Sequence, residues 1–249
     1  MAESDNHAGF TQLLGSEWTK LVSVRSTIWA LITLVVTSSG FTTLLIWLAT
    51  LQCIALAPAQ QQQMIADSTG QILGSGFQFS QLAVCVLGVL VTTAEYSIGT
   101  IRASLLAVPS RTPMLAAKAT VFAVVVLIVA EVAAFPSFFI GAAIMASRTP
   151  VSIGDAGALR EVLGIGLYAA VLGVFAIVIG DLVRHTAAAI TGIIGFVLVL
   201  SPLTMHILGS IGQHIRGYLP IVAGQAIAIT SQGPNHLSGA WQGFGVFGL

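Results

Sequence analysis

Charged residues are scarce in this chain of 249 residues, because Asp, Glu, Lys and Arg together make up only 7% of it. Soluble domains carry about 25% charged residues, so no segment here has enough charge to cover a soluble domain. Hydrophobic residues reach 56%, and the mean hydropathy is +0.96. The composition therefore predicts a polytopic membrane protein, with residues 1–249 forming a single transmembrane domain. The formal net charge of zero argues against nucleic acid as a partner.

Catalytic and metal-binding motifs are also missing. The sequence has no Gly-Lys dipeptide, hence no phosphate-binding G-x-x-x-x-G-K-[ST] loop, and it has neither H-E-x-x-H nor G-x-S-x-G. The five histidines are scattered without ligand spacing, and the two cysteines, Cys53 and Cys85, lie far apart in or beside apolar runs. We therefore expect no metal site, no cofactor and no catalytic residue in this chain, and we interpret both cysteines as small buried hydrophobes.

Long apolar runs dominate what remains. An α-helix rises about 1.5 Å per residue, so about 20 apolar residues cross a hydrocarbon core about 30 Å thick. Five runs meet or nearly meet this length, at residues 28–51, 76–94, 119–145, 162–179 and 187–208. A further run at residues 241–249 is too short to span and is expected to be an incomplete sixth span. Because the runs are continuous rather than alternating, the fold class is all-α, a polytopic bundle of membrane helices.

The basic residues that flank these runs set the orientation. Lys20 and Arg25 precede the first run, further basic residues fill the loop after the second, and Arg184 follows the fourth. The connection at residues 52–74 has no basic residue. The positive-inside rule therefore places the N-terminus in the cytoplasm of a multi-pass membrane protein. Residues 209–240 then lie on the outer side, as an extracellular or re-entrant segment.

An amphipathic helix is predicted at residues 10–25, after a polar tail at residues 1–9 that is expected to be disordered. The apolar residues at helical spacing on one face are Phe10, Leu13, Leu14, Trp18, Leu21 and Val22. We expect the helix to lie along the cytoplasmic surface of the membrane, with Trp18 at the level of the lipid headgroups. The alternative is a soluble extension that packs on nothing.

A basic loop at residues 95–118 joins the second and third runs. Its charged residues are Glu95, Arg102, Arg111 and Lys118. Since charge is rare elsewhere in the chain, this concentration predicts a segment in water that faces a cytoplasmic partner.

A short helix is predicted inside this loop. Gly99 breaks the incoming helix, and Thr100 can cap a new one over residues 101–107. Pro109 and Pro113 then end it.

The side chains of the short helix suit docking. Arg102 gives it a charged edge, and Leu105 and Leu106 give it an apolar knob. The alternative is a plain cytoplasmic turn, but a turn between two spans needs only a few residues. The length, the cap and the partly apolar character of this loop favour a docking element.

Glu131 stands in the middle of the third apolar run. A charged side chain there costs about 2.5 to 3.5 kcal/mol on insertion scales, so Glu131 is expected to face the bundle, to face a wet cavity or to be protonated. It either bonds neighbouring helices or takes part in substrate passage or gating. Pro136 is expected to kink the helix nearby. Most aromatic residues of the spans are packing contacts, and Phe41, Phe135 and Phe138 are candidates for lining a path.

Three stretches of the chain resemble one known family. They are SEWTKLVSVRSTIWAL at residues 16–31, TAEYSIGTIRASLLAVPSRTPMLAAK at residues 93–118 and YLPIVAGQAIAI at residues 218–229. Together they resemble the permease subunit of type 2 ABC exporters, especially the compact six-span kind common in actinobacteria, and the likeness runs through most of the chain. The most specific part is the cluster of Glu95, Tyr96, Gly99, Thr100 and Arg102. The chain departs from the family in lacking a basic C-terminal tail.

The resemblance implies a subunit of an ATP-driven exporter in a bacterial plasma membrane. Two permeases, as a homodimer or as a pair of related chains, assemble with two nucleotide-binding ATPase subunits, which hold ATP and Mg. The loop bears a coupling helix, and the residues implied to contact the ATPase there are Glu95, Tyr96, Gly99, Thr100, Arg102, Leu105 and Leu106. The leading helix contacts the same subunit, through Glu17 and Lys20.

The expected substrate is a hydrophobic or amphiphilic molecule, because the spans show no polar binding constellation. A drug, a peptide and a lipid-like compound all meet this description, as in multidrug efflux. The alternative hypothesis is a membrane sensor or assembly partner that uses an ABC-type ATPase without transporting anything.

Overall fold

The computed structural model describes residues 10–52, 68–99, 111–146, 151–155 and 157–200. The regular structure within these ranges is helical. In chain order the helices are α1 (Phe10–Ser23), α2 (Arg25–Gln52), α3 (Ser68–Ile98), α4 (Arg111–Met145), α5 (Ala158–Val183) and α6 (Thr186–Gly195). A π-helical turn, Phe196–Leu200, continues α6.

Four of these helices, α2 to α5, are long and apolar enough to cross a membrane. They contain the first four predicted runs, so the prediction of a membrane-embedded helical bundle is confirmed for the described part of the chain. The fifth predicted run begins in α6, and its remainder beyond Leu200 lies outside the described residues. The segment at 209–240 and the partial sixth span at 241–249 lie outside them as well.

Helices α3 and α5 form the centre of the described bundle. In each of them 56% of the apolar stretch is buried, against 22% in α2, which therefore lies at the outside. Helix α3 packs mainly on α5, α4 packs on α5 as well, and α2 lies against α3 and α4. The largest fully buried side chains include Tyr168 and Phe122, and Cys85 is buried as predicted, whereas Cys53 lies outside the described residues.

Glycine makes the contact between α3 and α5 close. A Cβ atom at Gly88 would lie 2.7 Å from the Cβ atom of Ala176 and 2.9 Å from the carbonyl oxygen of Gly173. Small residues let the backbones of membrane helices approach each other, and van der Waals contact then holds them together. The same device recurs one turn from the end of α5, where a Cβ at Gly180 would meet the backbone of Val89 at 3.3 Å.

Helix α1 packs against α4, so the alternative of an extension packed on nothing is wrong. The predicted apolar face divides into two parts. Leu21 is buried together with Glu17, whereas Phe10, Trp18 and Val22, at spacings of eight and four residues, are about half exposed. The exposed part forms a stripe along one side of the helix, as the proposed position at a membrane surface requires.

The predicted loop at 95–118 is shorter than expected, because both flanking helices extend into it. Helix α3 continues through Glu95 to Ile98, and α4 begins at Arg111. Pro113 therefore lies in the first turn of α4 and does not end a preceding helix. Proline is tolerated there, since the first N–H groups of a helix have no acceptor within the helix.

The prediction that Lys118 lies in the loop and is exposed to water is wrong. It lies in α4 about two turns after the start of the helix and is 2% exposed. The segment that joins the two helices is residues 99–110. Helix α4 also continues through Pro136, and a kink at that residue stays a prediction.

Candidate functional site

Four charged side chains meet where α1 contacts the rest of the bundle. They are Glu17 and Lys20 of α1, Glu95 of α3 and Lys118 of α4, and we call this group the charged hub. The sequence shows only one of these relations, the three-residue spacing of Glu17 and Lys20 on one helix. The others join residues far apart in the chain, and tertiary packing brings them together.

Glu95 is the central member of the charged hub. Its Oε2 atom contacts the Nζ atom of Lys118, and its Oε1 atom accepts a hydrogen bond from Lys20 Nζ at 3.3 Å. Lys20 Nζ also donates to Glu17 Oε1 at 2.5 Å. One carboxylate therefore joins α3 to both α4 and α1. It lies four residues before Gly99, and Lys118 lies beyond the other end of segment 99–110, so the pair closes the base of that segment.

The members of the charged hub differ in their exposure. The side chain of Lys118 is 3% exposed and that of Glu95 is 14% exposed, while that of Lys20 is 46% exposed. A charge as deeply buried as that of Lys118 requires an opposite charge close by. Glu95 supplies that opposite charge from α3.

The pKa of Lys20 is raised above its ordinary value of 10.5. Partial burial alone lowers it, but the hydrogen bond to Glu17 and the charges of Glu95 and Glu17 outweigh that effect. Since the folded-state pKa is the higher one, the contribution of Lys20 to stability is complete below pH 10.5 and declines only as the pH rises further. Lys20 is therefore fully charged at neutral pH.

Tyr96 connects α3 to α5 beside the charged hub. Its hydroxyl group donates a hydrogen bond to Asp181 Oδ1. The guanidinium carbon of Arg184 lies 5.7 Å from the centre of the Tyr96 ring, within the range of a cation–π interaction. Arg184 itself has a left-handed backbone, with φ of 55°, and its backbone N–H closes the end of α5 by donating to the carbonyl oxygen of Gly180.

Removing the Tyr96 hydroxyl group should weaken the contact between α3 and α5. We expect Tyr96→Phe to lower the stability by about 1 to 3 kcal/mol, because the half-buried carboxylate of Asp181 loses its donor. Asp181→Asn is the matched control, since its amide oxygen still accepts from the hydroxyl group. Thermal unfolding of the purified protein compares the two, and equal midpoints for Tyr96→Phe and the unaltered chain would contradict this prediction.

Helix α3 ends at Ile98, and Gly99 follows it directly, where the sequence predicts the break. The residue has φ of 77°, a left-handed conformation that favours glycine and is common just after the end of a helix. The other predicted members of the docking element, Thr100, Arg102, Leu105 and Leu106, lie outside the described residues, so their roles stay predictions.

A cleft of about 190 Å³ lies at this end of the bundle. Its lining residues are Thr92, Glu95, Tyr96, Thr112, Met114, Leu115, Lys118 and Asp181. The cleft thus lies between the end of α3 and the start of α4, with Asp181 of α5 on its wall. Sequence reasoning missed Asp181, because nothing in the local pattern pairs it with a tyrosine 85 positions away.

The predicted lining residues of a path lie in different surroundings. Phe138 is buried in the core, whereas Phe41 of α2 stacks on Phe79 of α3 with 4.4 Å between the ring centres. Phe135 is half-buried on α4. Glu131 lies against α5 at Gly166, since a Cβ atom on that glycine would be 2.1 Å from Glu131 Oε1. Substrate contact by any of them stays a prediction.

Among the described residues no group of three His, Cys, Asp or Glu side chains could hold a metal ion. Comparison with known proteins identifies no relative: no family model matches the chain, and neither a curated protein nor a solved structure matches it. The charged hub and its neighbours are therefore interpreted from their own geometry.

Proposed function

We propose that this chain is the membrane-spanning subunit of an ATP-driven exporter in a bacterial plasma membrane. Segment 99–110 docks on a separate nucleotide-binding ATPase, with Arg102, Leu105 and Leu106 as its contact residues. A second copy of the chain, or a related permease, completes a path for a hydrophobic or amphiphilic substrate. ATP and Mg are held by the partner subunit, and the chain itself is no enzyme.

The buried ion pair of Glu95 and Lys118 carries this proposal. A loop that transmits force needs a rigid base, because a flexible one would absorb the movement. The pair fastens the helix before segment 99–110 to the helix after it, and Lys20 fastens both to α1. A push on the segment would therefore move α3, α4 and α1 together.

Tyr96 extends this connection to the central helix α5 through Asp181. Together the charged hub and Tyr96 hold four helices at the end of the bundle that the distribution of basic residues assigns to the cytoplasm. An ordinary turn between two spans needs no such network, so the arrangement supports a mechanical role for the segment over a passive one.

Transport in reconstituted vesicles tests the proposal directly. The purified chain is incorporated with a cognate nucleotide-binding ATPase, and movement of fluorescent amphiphiles is followed with and without ATP. ATP-dependent accumulation supports an exporter. Binding of the ATPase without movement of any compound in a broad panel contradicts it and supports a sensor or assembly partner.

The docking residues can be tested separately. Replacing both Arg102 and Leu105 by alanine should abolish co-purification of the ATPase or its stimulation by the chain, because the segment loses its charged edge and its apolar knob together. Thermal unfolding of the variant should stay unchanged, since neither residue belongs to the charged hub.

The matched control replaces Leu182 and Arg25 by alanine, the same residue types at the same end of the bundle but outside the segment. Leu182 is 75% exposed and Arg25 is exposed as well. The control should keep the ATPase bound. Full co-purification and normal stimulation with the Arg102 and Leu105 double variant would overturn the docking assignment.

A further inference from the structure

Glu131 occupies a cradle between α4 and α5 that a side chain on α5 would fill. A Cβ atom at Gly166 would lie 2.1 Å from Oε1, 2.7 Å from Cδ and 3.0 Å from Cγ of Glu131. The absence of a side chain at Gly166 thus gives the carboxyl group its space. At about 1.5 Å per residue this cradle is about 20 Å along α4 from Lys118, well away from the charged hub.

The carboxyl group of Glu131 is incompletely satisfied. Its Oε2 atom is buried and has no hydrogen-bond partner among the described residues. A charged group within a span is costly, and such residues commonly mark the path of a substrate or an ion. A counter-cation or a proton relieves the cost, and no basic side chain of the described residues bonds to Glu131.

The charged groups nearest in the packed helices are few. On α5, Arg160 and Glu161 lie in the first turn, more than one turn before Gly166, and each has an interaction of its own. The described parts of α2 and α3 carry charged side chains only near the ends that adjoin α1, at Arg25 and Glu95. Among the described residues, none near the cradle therefore offers Glu131 a compensating cation.

Glu131 is half-buried and lies beside an exposed face of α4. Ile128 and Val132, which flank Glu131 on α4, are 54% and 55% exposed, so the lipid-facing surface of the helix passes directly beside it. Phe135 lies one helical turn further and is half-buried. A carboxyl group at an apolar surface, with an aromatic residue one turn away on the same helix, suits a weakly hydrated cation better than a strongly hydrated metal ion.

We propose that Glu131, whose carboxyl group Gly166 allows to lie against α5, binds a hydrophobic organic cation that arrives from the lipid. The ligand class is a quaternary ammonium or phosphonium ion with apolar substituents. The carboxylate neutralises the positive charge, and Phe135 offers its ring face to the same cation. Such a cation would be the substrate of the proposed exporter. Its transport depends on the proposed function, whereas its binding at Glu131 does not.

Binding of tetraphenylphosphonium to the purified full-length chain in lipid nanodiscs tests the site without ATP or ATPase. Glu131→Gln keeps the shape of the side chain and removes its charge, so the affinity should fall about 10- to 100-fold, as expected for the loss of a charge-assisted contact. Gly166→Ala, which fills the cradle, should also weaken binding. Triphenylphosphine oxide is neutral and of similar shape. It should bind the unaltered chain weakly, and it should bind the Glu131→Gln variant with the same weak affinity.

Asp155→Asn is the matched control, because it removes the same charge from an exposed position outside the spans. It should bind the phosphonium ion like the unaltered chain, and thermal unfolding verifies that each variant is folded. Equal affinity of the folded Glu131→Gln variant, or equal affinity of the unaltered chain for the neutral compound, would overturn the site. Cation binding that depends on Glu131 without ATP-driven movement would leave the site standing and count only against the exporter.

Discussion

Glu95→Gln should lower the free energy of unfolding by about 3 to 5 kcal/mol, one of the two largest effects expected for a single substitution in this chain. The reason is the position of Lys118, whose side chain is 3% exposed and whose ammonium group contacts Glu95. An amide leaves that ammonium group buried without an opposite charge. Reversible unfolding in mixed detergent micelles measures the loss.

The other hub variants should follow a fixed order. Lys118→Met should cost less than Glu95→Gln, because the carboxylate left behind still bonds to Lys20 at 3.3 Å. The double variant of Glu95→Gln with Lys118→Met should recover most of the stability, since a buried ion pair replaced by neutral groups leaves no isolated charge. Lys20→Met should cost at most about 1 kcal/mol, as is usual for a half-exposed pair.

A double-mutant cycle separates this explanation from general damage to the helices. If the double variant is as unstable as the sum of its single variants, Glu95 and Lys118 are not coupled. The same set of variants should show ATPase stimulation that falls with the loss of the pair, because the proposed function requires a rigid base beneath segment 99–110.

Gly88→Leu should prevent the described bundle from assembling, and Gly88→Ala should destabilise it by about 1 to 3 kcal/mol. A Cβ atom at this position would already be 2.7 Å from the Cβ atom of Ala176 and 2.9 Å from a backbone oxygen of α5. The backbone oxygen cannot turn aside as a flexible side chain would, so α3 and α5 must separate. Unfolding midpoints and yield after purification measure the effect.

Gly74→Ala on the same helix is the matched control, because a Cβ atom there would meet nothing within 4 Å. Alanine is a better helix former than glycine by up to about 1 kcal/mol, so this variant should be neutral or slightly stabilised. Equal behaviour of Gly88→Ala and Gly74→Ala would show that the close approach of α3 and α5 does not limit the packing.

The four membrane helices of the described part could be predicted from the sequence, because a run of about 20 apolar residues is most stable within a bilayer. Their ends could not. Helix α3 extends past the apolar run through Glu95, and α4 starts seven residues before Lys118. Hydropathy reports only the transfer of side chains from water, whereas the backbone hydrogen bonds of a helix continue into polar residues.

The candidate site could be predicted from the sequence only in part, because its contacts join residues on different helices. The concentration of charge near Glu95 and Lys118 correctly indicates a special region, but the sequence predicts it to be exposed. Burial reversed that reading for Lys118, since each charge has its counterpart on another helix. Asp181, whose partner lies on a distant helix, gave no signal in the local pattern at all.

The amino-acid sequence is enough to predict helices in a membrane, a concentration of charge at residues 95–118, and an exceptional Glu131 within its span. The packed structure was needed to show that Glu95 joins α1, α3 and α4, that glycines set the distance between α3 and α5, and that Gly166 makes room for Glu131. Periodicity and hydropathy act along one helix, whereas ion pairing and close packing depend on which helices become neighbours.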